Sequence, residues 1–365
     1  MTLDGRQLSG CTVVLTADRR SAELAGALAR RGAQIMHAPT LRIVPLTEDA
    51  RLMAATERVL RDPPAVAVIT TGIGLRGWIE AVDAAGRAPQ LMSALAGARL
   101  FARGPKARGA IRAAGLVEEM SAASETTGEI VDLLLDEGVA AKPVAFQLHG
   151  VVDDPQADRL RAAGARVEAV PVYRWGPSPD PGSVRRAIDA ICARSVDAAV
   201  FTSAPGAQAL LDAATAAGRY DDMLAALDDG VLPAAVGPVT AAPLVAAGLH
   251  PVVPDRGRLG ALVRCVGDHL AQQAALPTKH GHVELRASAV VVDGDVITLS
   301  PAPLAVLRSL VRARGKVVSR NELLASLPGA RDEHAVEVAV ARLRSTVARP
   351  GLVETVVKRG YRLDV

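Results

Sequence analysis

Residues 1–270 repeat themselves, and the repeat limits what the chain can fold into more than any other feature. Aligning residue n with residue n + 132 brings Gly32-Ala33 onto Gly164-Ala165, Pro39 onto Pro171, Thr70-Thr71 onto Thr202-Ser203, Gly74 onto Gly206 and Gly128 onto Gly260. One inserted residue then brings Gly104-Pro105 onto Gly237-Pro238 and Ala113–Leu116 onto Ala246–Leu249. Within each copy, short Val, Ile and Leu runs alternate with amphipathic stretches: Thr12–Thr16 then Ala22–Arg31, Ala65–Ile69 then Gly74–Ala84, Arg99–Ala102 then Ala107–Ala114. Continuously apolar strands that alternate with helices predict parallel sheets covered on both faces. The expected class is therefore α/β.

A second pattern occupies the end of the chain. Val336, Val340, Leu343 and Val347 fall at steps of four, three and four, which at about 100° per residue puts them on one buried stripe of a helix over 332–349. The opposite face carries Arg331, His334, Val338, Ala341, Arg342, Ser345 and Arg349. Small side chains there allow close approach and cations suit a polyanion, so the helix fits a major groove roughly 12 Å wide. Glu354–Val357 and Tyr361–Leu363 read as a hairpin with Lys358 and Arg359 at its tip and Gly360 free to take positive φ. A basic hairpin beside such a helix forms a wing.

Charge separates the two parts. From residue 277 onward there are 3 Lys and 11 Arg against 4 Asp and 5 Glu, whereas the preceding residues carry 28 basic and 30 acidic side chains. Only the tail is built for a polyanion. At 365 residues the chain has room for two or three domains. No apolar run reaches the roughly 18 residues that span a bilayer, and residues 1–10 lack a signal peptide's apolar stretch; a cytoplasmic protein with no membrane partner is expected. Cys11, Cys192 and Cys265 stand too far apart for a disulfide framework or a metal knuckle, and His280 with His282 lacks further ligands, so no metal is expected.

The blocks VVLTADRR (13–20), AGARVEAVPVYRW (163–175), DAAVFTSAPGAQALL (197–211) and PAAVGPVTAAPLVAAGLHPVVP (233–254), in this order and with the duplication, resemble uroporphyrinogen-III synthase across roughly residues 10–270. The resemblance implies two lobes with the chain crossing twice between them, at 41–43 and 172–174. Lobe 1 would comprise 1–40 and 175–270, and lobe 2 residues 43–172. It also implies cyclisation of hydroxymethylbilane with loss of water and inversion of one ring, without metal or cofactor. Eight substrate carboxylates call for many donors, which helix N-termini at the carboxyl ends of parallel strands supply. The substrate-binding candidates are Arg19, Thr71, Arg103, Lys106, Thr202, Ser203 and Gly237, with His149-Gly150 a further strand end of this kind. Tyr173, in the family's VYR-like segment, is the candidate acid for the departing hydroxyl, and Thr240 matches the family's Thr after Gly-Pro. Two departures are visible: Asp255–Arg258 stands where the family presents a hydroxyl residue, and Thr16-Ala17-Asp18-Arg19 replaces a Thr-Arg-Pro turn.

At the other end, LSPAPLAVLRSLVRARGKVVSRNELLA (299–325), VEVAVARLR (336–344) and ETVVKRGYRL (354–363) resemble the winged helix-turn-helix output domain of OmpR-type response regulators. The resemblance implies a C-terminal α+β winged-helix domain over 283–365. Its partner would be double-stranded DNA, contacted by Arg331, His334, Val338, Arg342, Ser345, Arg349, Lys358 and Arg359. Ala339 and Ala341 replace larger polar residues, and Leu327-Pro328 replaces a tryptophan. Residues 271–282, rich in small polar side chains, read as a linker. The expectation is a transcriptional regulator whose synthase-like part senses a tetrapyrrole or a hydroxymethylbilane-like ligand. A working synthase with an accessory DNA-binding tail is the alternative, and a second copy on DNA is a candidate partner.

Overall fold

The computed structural model describes residues 7–46, 49–150, 154–272, 275–327 and 332–365. The chain forms two compact units, one of residues 1–41 with 177–365 and the other of residues 42–176. Neither unit corresponds to one copy of the repeat.

In the first unit, strands Leu232–Ala235, Ala198–Phe201, Thr12–Leu15 and Gln34–His37 lie side by side in that order, all parallel. The outer pairs come from different copies, because Thr12–Leu15 and Gln34–His37 belong to the first copy and the others to the second. Three of the four strands are almost wholly buried, which is what covering both faces of a parallel sheet requires. One face buries Val14, Ala199 and Phe201 against helices 181–192, 204–216 and 220–228. The other buries Val13, Leu15, Ala198 and Val200 against helices 21–29 and 259–272.

The second unit has a six-stranded sheet in the order Leu41–Pro45, Arg166–Pro177, Pro143–Gly150, Val66–Ile69, Arg99–Ala102, Met120–Ser121. Its helices 72–84, 88–96 and 105–113 match helices 204–216, 220–228 and 238–246 of the first unit, element for element at the repeat offset. Trp78, fully buried, anchors one face and donates from Nε1 to Thr56 Oγ1 at 2.9 Å.

The C-terminal part of the first unit begins earlier than its sequence suggests. Residues 271–282, expected to form a linker, finish the helix Leu259–Gln272 and then supply strand Leu276–Thr278 and the start of strand Gly281–Leu285. These pair antiparallel with each other and with Ala289–Val292 and Asp295–Thr298 in a four-stranded sheet. The polar side chains that suggested a linker are engaged: Lys279 Nζ lies 2.5 Å from Asp364 Oδ1, and His280 Nε2 3.3 Å from Asp364 Oδ2. Three helices follow, Pro301–Ala313, Arg320–Ser326 and Glu333–Val347, then the hairpin Val353–Val356 with Gly360–Leu363. Ser319 and Glu322 cap the middle helix reciprocally. Val336, Val340, Leu343 and Val347 are buried with Leu304, Leu307, Leu310, Leu323 and Tyr361, as the stripe predicts. At Gly360 (φ +136) a Cβ would stand 2.0 Å from the Val318 carbonyl oxygen, so the hairpin closes onto residue 318 only because the residue is glycine. Among the described residues no helix is long and apolar enough to cross a membrane.

Candidate functional site

At the carboxyl ends of the first unit's parallel strands, three turns lead into helices. After Leu15, the buried Thr16 hydroxyl donates to the Val200 carbonyl at 3.0 Å. Exposed Arg19 follows, with no hydrogen bond or ion pair to any described residue, whereas Arg20 folds onto Glu23. After Phe201, Thr202 precedes Ser203, whose hydroxyl caps helix Ala204–Ala216 by accepting from Gly206 N at 3.2 Å. After Ala235, Gly237 is the extended N-cap of helix Pro238–Ala246, and no side chain caps that helix. Nothing lies within 4 Å of a Cβ built at Gly237, so this helix start faces open space and keeps its first-turn amides available. Thr240 is only 6% exposed, in that first turn.

The corresponding ends of the second unit are more heavily built. Thr71 caps helix Gly72–Ala84, but its backbone amide and that of Thr70 both donate to Gln147 Oε1, at 3.2 and 2.9 Å. Gln147 returns Nε2 to the Thr71 carbonyl at 3.2 Å and is 1% exposed. The Thr71 amide is thus already bonded inside the unit, and only the surface of this turn remains for a ligand. Lys106 is exposed in the first turn of helix Pro105–Ala113. Arg103 is largely desolvated and its pKa is lowered by that burial; Tyr173, Asp154 and Glu125 lie within electrostatic reach and oppose the shift. Among the described residues no carboxylate stands at ion-pair distance from this partly buried guanidinium.

Tyr173, 5% exposed, packs edge-on against Trp175 with ring centroids 5.6 Å apart. It lies next to Arg174, which pairs with Gly150 in the neighbouring strand. At Gly150 (φ +91) a Cβ would collide with the Trp175 ring, 2.4 Å from Nε1. Beside it, His149 Nδ1 stands 3.2 Å from Asp154 Oδ2, off the line of a hydrogen bond, while Asp154 caps helix Pro155–Ala162. Tyr173, Arg103, Asp154 and His149 therefore form one polar group on the second unit. Sequence reading named Tyr173, Arg103 and His149 but missed Asp154 and Gln147. A single glutamine inside the apolar run VAFQLHG was the available signal.

In the C-terminal part, helix Glu333–Val347 presents His334, Val338, Arg342 and Ser345 outward, with Val338 51% exposed. The Arg342 guanidinium has no partner among the described residues. The helix stops at Val347 with Ala348 in the left-handed conformation, so Arg349 does not extend the outward face. Its guanidinium instead pairs with Asp295 Oδ2 at 2.8 Å. Arg331 lies outside the described residues. Lys358 and Arg359 are exposed at the hairpin tip, beside Val357 at 77% exposure. Arg344, which sequence reading passed over, holds the hairpin to the helix: it donates to Val353 O at 2.7 Å and Thr355 Oγ1 at 2.9 Å, and lies 5.8 Å from the Tyr361 ring centre.

Parallel α/β sheets with amide-rich helix starts at their carboxyl ends, joined to a helix, basic wing and four-stranded sheet, define a synthase-like protein fused to a winged-helix DNA-binding domain. Comparison with known proteins gives the family. The model of the family "Uroporphyrinogen-III synthase HemD" matches residues 22–264, and that of "Transcriptional regulatory protein, C terminal" matches residues 294–363. The chain belongs to the uroporphyrinogen-III synthase family and carries an OmpR-type DNA-binding domain. The uncharacterized protein YjjA of Bacillus subtilis is 28% identical over 261 residues, 71% of this chain and 96% of that protein. A mutant uroporphyrinogen III synthase of Thermus thermophilus has a similar structure, with a TM-score of 0.59, 27% identity, and coverage of 72% of this chain and 99% of that one. The response regulator protein PmrA of Pseudomonas aeruginosa is 34% identical over 115 residues, 30% of this chain and about half (52%) of its own length.

Proposed function

We propose that the chain is a DNA-binding transcriptional regulator whose synthase-like part senses a polycarboxylate tetrapyrrole or a hydroxymethylbilane-like precursor. The observation that carries this reading is the placement of the cations: Arg342 on the outward face of helix Glu333–Val347 and Lys358 and Arg359 at the hairpin tip are exposed and have no carboxylate partner among the described residues. Unpaired cations on an outward helix and a wing are what phosphate and base contacts need. Arg342 is placed to reach a base edge, with His334, Val338 and Ser345 along the groove, and Lys358 and Arg359 reach the phosphates. Arg349 joins them only if DNA draws it away from Asp295, and Arg331 is a further proposed contact.

For the ligand, the donors proposed are Arg19, Thr202, Ser203 and the Gly237 helix start on the first unit, and Thr71, Arg103 and Lys106 on the second. Tyr173 and Thr240 take the acid and positioning roles if turnover occurs. Carboxylates at helix starts and beside a desolvated guanidinium form charge-assisted bonds, which are the stronger kind. A second copy on DNA fits the same reading.

The test has two arms on the full chain. Titration of a duplex selected from a random pool, with and without uroporphyrin III, reads sensing; incubation with fresh hydroxymethylbilane, resolving isomers I and III, reads synthase activity. DNA affinity that shifts with uroporphyrin III supports the regulator. Formation of isomer III with no effect of ligand on DNA binding replaces the regulator with a working synthase that carries a DNA-binding tail.

A further inference from the structure

Among the described residues the winged-helix domain and the first unit's parallel sheet share no hydrophobic cluster: those of the C-terminal core are all at or beyond Leu276, and those of the two cores flanking the sheet all lie before it. Besides a close approach at Gly10 and an exposed Arg312–Asp229 ion pair, what joins them is a set of buried and part-buried polar bonds. Asp197, 8% exposed, opens strand Ala198–Phe201; its Oδ2 accepts from Thr12 N at 2.7 Å and its Oδ1 accepts from Ala287 N, also at 2.7 Å. One carboxylate therefore bonds a backbone amide of the α/β sheet with one oxygen and a backbone amide of the winged-helix domain with the other. Arg308 makes the reciprocal bridge, donating to Ala287 O at 2.8 Å and Arg194 O at 3.2 Å.

The surroundings fit a tight seam. At Gly10 (φ +78) a Cβ would lie 2.9 Å from Val296 Cγ1, so the two backbones approach closely there. Buried Arg286 and partly buried Arg308 bring positive charge toward Asp197, and Cys11 lies close enough for the Asp197 charge to act on it.

Position gives the seam its meaning. Thr12 and Asp197 stand at the amino ends of neighbouring parallel strands, with Val13 opposite Ala198. The carboxyl ends of the same two strands, about 13 Å away at roughly 3.3 Å per residue, lead to Thr16–Arg19 and to Thr202-Ser203. On the other side, Arg308 lies on helix Pro301–Ala313, whose Leu304, Leu307 and Leu310 pack in one core with Val336, Val340 and Leu343 of the outward-facing helix.

We propose that Asp197 and Arg308 are a clasp that fixes the DNA-binding domain to the first α/β sheet and carries ligand occupancy from the carboxyl ends of two strands to the DNA-reading helix. The inference rests on the regulator reading. A small polar seam without a shared apolar core has two discrete arrangements, clasped and released, and a ligand that binds one better than the other shifts their balance.

The experiment compares the full wild-type chain with Asp197→Asn and Arg308→Ala. An asparagine accepts through one atom only and turns its NH2 toward the other amide, so one bond is lost and a donor faces a donor. Amide exchange by mass spectrometry is read at peptides containing Thr12, Ala287 and residues 333–347, and DNA titrations are run with and without uroporphyrin III. Exchange at Ala287 is expected to rise about tenfold or more in both variants while residues 333–347 stay protected. The uroporphyrin III effect on DNA affinity, expected at about 5- to 150-fold in the wild type, falls to about one, with ligand-free DNA affinity within about threefold. Unchanged exchange at Ala287 overturns the clasp. Raised exchange with wild-type coupling in both variants also overturns it and leaves the regulator intact. A wild type without any uroporphyrin III effect overturns the regulator reading and the clasp together. Arg308→Ala removes only the helix side of the clasp, so it decides the matter if Asp197→Asn fails to fold.

Discussion

Gln147 in the second unit and Asp197 in the first do the same local task with different chemistry. Each is a buried polar side chain on a central strand, and each accepts two backbone N–H groups that would otherwise be orphaned. The two donors of Gln147 are neighbours, Thr70 and Thr71, so one neutral oxygen serves both and the amide nitrogen is free to donate to Thr71 O. The two donors of Asp197, Thr12 and Ala287, are far apart in the chain and arrive from opposite sides. Only a carboxylate offers an acceptor on each side, and it brings a charge that must be compensated. Arg286 and Arg308 supply the compensation, but burial dominates and still holds the Asp197 carboxyl above its ordinary range. Within one body a neutral staple suffices; across a seam the chain uses a charged one.

Breaking the pair at Asp197 should have the largest effect. Asp197→Ala leaves two buried amides without acceptors and Arg308 without its counter-charge, a loss of about 1.5–3 kcal/mol for each charge-assisted bond. Urea unfolding is expected to split into two transitions, with the winged helix uncoupled from the sheet. A single transition at the wild-type midpoint would mean that Asp197 does not hold the seam together. Gln147→Leu should come next, costing about 1–3 kcal/mol, with its exchange increase confined to residues 70–74 and nothing changed at Ala287.

A pH titration sharpens the contrast. Because the folded-state pKa of Asp197 is raised from 3.8, the native state holds its proton over a window that opens at 3.8 and extends upward. The pH-dependent part of the wild-type stability relative to Asp197→Asn is therefore largest below that window and declines as pH rises through it. Gln147 does not titrate, so Gln147→Leu should show a stability difference flat across the same range. A wild-type to Asp197→Asn difference that grows with pH would reverse the sign assigned to burial.

The smallest stability effects lie on the wing, where Lys358→Ala/Arg359→Ala should leave unfolding unchanged. Its signature is in DNA binding: the slope of log affinity against log salt should fall by about 0.9 for each phosphate that the variant no longer neutralises. An unaltered slope would remove the hairpin from the DNA interface.

Much of this molecule was legible in its sequence. The repeat offset located the helix pairs 72–84/204–216 and 105–113/238–246 because strand–helix alternation is local and period-bound, and the Val336–Val347 stripe gave the buried face of its helix for the same reason. Residues 271–282 misled because their polar side chains find partners in Asp364 and Asp293, which the local pattern does not announce. Arg349 misled for a related reason: periodicity continues past Val347, but the left-handed Ala348 ends the helix and sends Arg349 to Asp295. Gln147 and Asp197 were illegible as site builders because their partners are backbone amides, which no residue type announces.

The most direct test of ligand-responsive DNA binding is a reciprocal titration on the full chain: DNA affinity with and without saturating uroporphyrin III, and uroporphyrin III affinity with and without saturating DNA. Linkage predicts one factor in both directions, about 5- to 150-fold for a coupling of ordinary size. A factor of one in both, with each partner still bound, would contradict regulation of DNA affinity by the synthase-like part.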